Sequence, residues 1–98
     1  MFPKEAMVRP ESGIRVFIRM ERAPGVLARV LGPFTVCGFA PYALVLRSGA
    51  GQTAFVVAEF DGMDTDRGSF VVERLKQMPC VMGARLSSVS SRLSAVHL

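Results

Sequence analysis

The sequence predicts an α+β fold: one four-stranded antiparallel sheet with two helices on a single face. Three observations carry that prediction. Apolar residues alternate at period two over residues 14–20 and again over 53–60. Apolar residues recur at helical spacing over residues 26–34 and 70–78. Proline and glycine clusters separate these segments, marking turns rather than continuous elements.

Residues 1–12 contain Pro3 and Pro10 and read as a flexible leader. The first strand places Ile14, Val16, Ile18 and Met20 on a buried side and Arg15, Phe17 and Arg19 on the other. The run ERAPG (21–25) ends it, and Pro24 suits the first turn of a helix, where its missing N–H costs nothing. Val26, Leu27, Val30, Leu31 and Phe34 then form one apolar stripe with Arg29 on its flank. Pro33 lies inside this helix and is expected to kink it or tighten its last turn. Gly38 is the expected C-cap.

A second strand is expected from about Tyr42 to Arg47. Pro41 at its start argues for a sheet edge, since proline cannot donate to a central ladder. The small residues SGAGQ (48–52) make a hairpin turn into the third strand. There Ala54, Val56, Ala58 and Phe60 oppose Phe55, Val57 and Glu59. In the loop DGMDTD (61–66), Asp61, Asp64 and Asp66 read as caps for the second helix. Phe70, Val71, Leu75 and Met78 mark that helix, which ends before Pro79. A fourth strand, Cys80 to Leu86, is expected to put Met82, Ala84 and Leu86 on one face. The expected organisation is a leader (1–12), one domain (13–87) and a Ser-rich tail (88–98) that needs a partner to become ordered. The order strand, helix, strand, strand, helix, strand doubles a right-handed crossover unit. That is a ferredoxin-like βαββαβ sandwich.

Composition narrows the function classes. The 98 residues leave room for one domain. Half are hydrophobic and 20% charged, with a mean hydropathy of +0.35, which excludes a disordered chain. The net charge of +4 favours anionic partners. Its arginines are dispersed at positions 9, 15, 19, 22, 29, 47, 67, 74, 85 and 92, so no basic arm is present. Cys37 and Cys80 cannot build a disulfide framework, and His97 is the one histidine, so no zinc set and no cofactor is expected. Lys4, Glu5 and Arg9 interrupt any signal-peptide core, and a reducing cytoplasm is the expected setting. The apolar stretch 26–46 is broken by Gly38 and Pro41, which argues against a membrane span. No nucleophile with a histidine orienter is apparent, so a non-enzyme is expected.

The open face of such a sheet would carry Arg15, Phe17, Arg19, Phe55, Val57 and Arg85. Exposed phenylalanines beside an unblunted edge strand predict association with a second subunit. An RNA-binding domain of the same topology would also place aromatics on the central strands. Its expected pattern fits poorly, with Thr53 and Ala58 where two rings should stand, so nucleic acid is disfavoured as a partner.

The stretch ERAPGVLARVLGPFTVCGF (21–39) resembles the opening of an ACT domain, a small-molecule-sensing module of amino-acid metabolism. More narrowly, VLARVLGPF followed by GF is similar to the regulatory small subunit of acetolactate (acetohydroxyacid) synthase. The resemblance spans about 14–86, with its specific residues within 24–39. It implies an allosteric homodimer, or a regulatory subunit of a larger biosynthetic enzyme, with an amino acid or organic anion as effector. The implied ligand site joins Arg22, Ala23, Gly25, Val26 and Leu27 of one subunit to Pro41, Tyr42 and Ala43 of its neighbour. Amides at the helix start would favour a carboxylate there. Two departures stand out: Arg22 occupies the place of a family Asp or Asn, and Ala40, Pro41, Tyr42 and Ala43 replace NIES. An arginine repels an ammonium group. The site is therefore expected to favour anions or to be lost, leaving a degenerate subunit with only an assembly role.

Overall fold

The alternating segments form strands and the stripe-bearing segments form helices in the computed structural model, which describes residues 12–61 and 65–90. In chain order these are β1 (Ser12–Glu21), α1 (Val26–Val36), β2 (Ala43–Ser48), β3 (Thr53–Asp61), α2 (Thr65–Lys76) and β4 (Val81–Ser90). The sheet order is β2-β3-β1-β4, and every neighbouring pair is antiparallel. The fold is a ferredoxin-like α+β sandwich. The expectations for Asp64, His97, the leader up to residue 11 and the tail from 91 fall outside the described residues.

One face of the two central strands makes the floor of the core. Ile14, Val16, Ile18 and Met20 of β1 and Ala54, Val56, Ala58 and Phe60 of β3 are all buried there. Val26, Val30 and Phe34 of α1 and Val71, Val72 and Leu75 of α2 cover them. The Phe34 and Phe60 rings stack with centroids 4.4 Å apart and planes 18° from parallel. Gly68 lets α2 approach the sheet closely, because a Cβ there would meet Ile14 Cδ1 at 3.0 Å and Leu86 Cδ1 at 3.1 Å.

The first helix passes through Pro33 and continues to Val36. Gly32 eases this, since a residue before proline is normally driven out of the helical region partly by its Cβ. The end is a Schellman motif. Gly38, at φ 82°, donates its N–H to Thr35 O at 2.9 Å, while Phe39 N–H reaches Phe34 O at 2.9 Å. Gly38 thus lies one residue beyond the cap, which is Cys37.

Four sequence expectations need correction. Asp61 does not cap α2; it ends β3, paired with Gly13. Phe70 does not belong to the buried stripe of α2; it is 56% exposed, and Gly68 and Val72 join Val71 and Leu75 on the inner side. The Arg74 guanidinium lies over its ring instead, 5.8 Å from the centroid. Met82 is 50% exposed rather than aligned with Ala84 and Leu86. The cause is a register shift: Arg19 pairs with Gly83 but Met20 pairs with Val81, so the irregularity turns Val81 inward and Met82 outward. Finally, β4 runs beyond Leu86 to Ser90, pairing Ser88 with Ile14 and Ser90 with Ser12.

Candidate functional site: first-helix loop, edge strand and open face

The sheet face away from the helices is open, and the strand registers set its side chains in cross-strand rows. Gly83, Arg19, Phe55 and Arg47 form one row across β4, β1, β3 and β2. The next holds Arg85, Phe17, Val57 and Val45, and the third Ser87, Arg15, Glu59 and Ala43. The six residues expected on this face from the sequence all lie there. Between the first two rows runs an open groove of about 330 Å³ lined by Phe17, Arg19, Phe55, Val57, Gly83 and Arg85.

Glu59 belongs to this face yet is only 7% exposed. Arg15 covers it, its Nε donating to Glu59 Oε2 at 2.8 Å and its Nη2 lying 2.8 Å from the same oxygen. The Tyr42 hydroxyl donates to Glu59 Oε1 at 2.6 Å, and Tyr42 N–H donates to Glu59 O at 2.9 Å. Removing the cation alone would strand a nearly buried carboxylate. Because Arg15 is itself about a third exposed, Arg15→Leu is expected to cost about 2–3 kcal/mol, below the range for fully buried pairs. Replacing both residues by leucine should recover most of that loss. Urea denaturation of the single and double variants checks the coupling.

The loop between β1 and α1 is tied to the β2–β3 hairpin. Arg22 N–H donates to Gln52 O at 2.6 Å, and its guanidinium reaches Gly51 O at 3.5 Å. A cation at a helix N-terminus is disfavoured by roughly 0.3–1 kcal/mol, and the hairpin carbonyl offers it another acceptor. Gly25 is the N-cap of α1 at φ 82°, in the left-handed region. A Cβ there would meet nothing within 4 Å, so the glycine is required by its backbone angle rather than by space. Gly25→Ala is therefore expected to cost about 1–2 kcal/mol without breaking a contact, measurable as a lower melting temperature.

The residues that the resemblance implies for a ligand site fall into two groups. Arg22, Ala23 and Gly25 are exposed in the loop. Val26 is buried in the core and its N–H donates to Ala23 O at 3.2 Å, while Leu27 packs half-buried against the core. Pro41, Tyr42 and Ala43 lie at the start of β2, beside Glu59 and Arg15. Arg22 adjoins the opposite end of the sheet, past Glu21 and Thr53. Arg15 and Glu21 are six positions apart on β1, so the groups stand about 20 Å from each other at strand spacing. One chain does not bring them together.

The sequence pointed to β2 as an edge but not to how bare it is. Leu44 and Leu46 point to the helix side, opposite buried Ala58 and Val56. Both are nonetheless exposed, as is Val45 on the other side. The remaining edge, β4, shows exposed Arg85, Ser87 and Ser88 and has α2 packed near it. Met82 is exposed on β4 as well, but β2 is the edge that shows three exposed aliphatic side chains in a row.

Among the described residues no cluster of three His, Cys, Asp or Glu could hold a metal ion. Among them, too, no helix is long and apolar enough to cross a membrane. Searches against known protein families and curated proteins return no match. Among solved structures, the chain is similar to the solution structure of the C-terminal domain of the MgtC protein from Mycobacterium tuberculosis. The TM-score is 0.66 at 11% identity, over 85% of this chain and 95% of that one. At that identity the likeness speaks for the fold alone.

Proposed function

We propose that this chain is a cytoplasmic, non-catalytic regulatory module, ACT-like in design, that senses a small anion as a dimer. The bare β2 edge is the observation that carries this reading. A two-fold axis beside β2 would pair it antiparallel with its copy and continue the sheet across the dimer. Antiparallel pairing sets the start of one β2 beside the end of the other. Pro41, Tyr42 and Ala43 of one copy then approach the hairpin and the Arg22–Gly25 loop of its partner, closing the gap that a single chain leaves. A ligand held between copies stabilises the assembled state, which is the coupling that regulation requires. Arg22 in that loop favours a carboxylate or phosphate over an ammonium group.

Sedimentation over a dilution series tests the assembly: a species of twice 10.6 kDa is expected at micromolar concentration. A monomer at all concentrations would overturn the reading. Calorimetry with branched-chain amino acids, serine and simple organic anions tests the chemistry. Anions should bind the dimer and lose affinity in Arg22→Ala. Tight binding of a zwitterionic amino acid, unchanged in that variant, would remove Arg22 from the site.

A further inference from the structure

The open sheet face is separate from the β2 edge and the loop, and the proposed dimer, which extends the sheet edge to edge, would leave it uncovered. Its centre is aromatic and apolar, while its flanks are cationic. Phe55 is 46% exposed and sits between Arg19 and Arg47 in one cross-strand row. Phe17 lies on the adjacent central strand with the Arg85 guanidinium 4.5 Å from its ring centroid. Within the three rows Glu59 is the one acid, and Arg15 already covers it. No carboxylate among the described residues pairs with Arg19, Arg47 or Arg85.

Charge decides the occupant. A second copy packed face to face would set arginine against arginine across a desolvated centre, which is strongly disfavoured. An acidic peptide would satisfy the cations but does not repeat a flat apolar group beside a charge at every unit. A chain with flat apolar groups and a regularly anionic backbone satisfies both. We infer that the open face binds single-stranded nucleic acid, with bases stacking on Phe55 and on the Phe17–Arg85 pair and phosphates held by Arg19 and Arg47. Phe17 and Phe55 are diagonal neighbours across β1 and β3, their backbone positions about 7–8 Å apart, so two bases of one strand reach both. The RNA-binding pattern asks for rings at positions 53, 55 and 58, of which β3 carries the one at 55, and Phe17 on β1 supplies the second ring. Gly49 helps to aim one of them: a Cβ there would meet the Phe55 ring at 2.5 Å.

Fluorescence anisotropy of labelled eight-nucleotide oligo(U) and oligo(dT) with the full chain tests the inference. Two phosphate contacts predict a slope of log affinity against log salt of about −1.4, or roughly sevenfold weaker binding from 50 to 200 mM salt. Phe55→Ala should weaken binding at least about fivefold. Phe70→Ala, which removes a comparable exposed ring beside an arginine on α2, should change nothing. Should Phe55→Ala melt early, Phe55→Leu and Arg47→Gln replace it, with the same direction expected. Four results would each overturn the inference: no binding at 50 mM salt, duplex binding as tight as single strand, competition by polyglutamate as strong as by oligo(U), or salt-sensitive binding indifferent to Phe55. A shift in sedimentation on Arg85→Gln without oligonucleotide binding would identify the face as a copy–copy contact instead.

Discussion

Phe34→Ala is expected to lower the unfolding free energy by about 3–5 kcal/mol, the cost of emptying a well-packed aromatic site. Phe34 is 1% exposed, is the last buried residue on the inner side of α1, and stacks on Phe60. Its removal leaves a cavity between α1 and the sheet and forfeits the ring pair as well. The surroundings cannot easily close in, because the Schellman motif anchors the end of α1 through the Phe34 carbonyl itself. Against a total stability of about 5–15 kcal/mol, this is a large fraction of what holds the domain together. At 4–8 °C per kcal/mol, the melting temperature should fall by about 12 °C or more. Phe70→Ala supplies the contrast: one helix later, but outside the core, it should stay within about 0.5 kcal/mol of the parent. Thermal unfolding of both variants, followed by circular dichroism, checks the difference. Similar losses in the two would mean that α1 is not packed as described.

Leu46→Lys is expected to leave the domain folded and to abolish the proposed dimer. Leu46 is half exposed on β2 and lies opposite Val56, outside the buried cluster, so folding loses little with it. A two-fold interface doubles each change. Both copies lose the burial of a leucine, both must desolvate or redirect a cation, and the two cations approach across the axis. Charged residues, lysine above all, are how edge strands are normally kept from pairing. Together these effects should weaken association by at least about 3 kcal/mol, over a hundredfold in Kd. Sedimentation of parent and variant at matched concentrations reads this directly. Calorimetry on the variant should show the anion response lost with the dimer. An unchanged dimer would move the interface away from β2, while a monomeric variant with full anion binding would place the ligand site within one chain.

The amino-acid sequence by itself determined the order of elements, the sheet faces and the edge position of β2. Those properties follow from local periodicity and proline, which each residue carries wherever it ends up. The alternation of Ile14, Val16, Ile18 and Met20 was enough to say which side of β1 is buried. Periodicity failed where a tertiary detail intervened. Met82 points outward because β4 shifts register opposite Arg19 and Met20, and no local pattern records a bulge formed by a partner strand. Phe70 reads as core by its apolarity, but Gly68 sets the approach of α2 to the sheet and so chooses which helix face is inside. The Arg15–Glu59–Tyr42 cluster and the rows of Phe17, Phe55 and their arginines exist only through strand register, which joins Arg15 to Glu59 across 44 positions and Tyr42 to Glu59 across 17. The roughly 20 Å between the loop and the start of β2 was likewise invisible, because distance across a sheet depends on how its strands pair. Local chemistry chose the elements; pairing between distant segments chose which side chains meet.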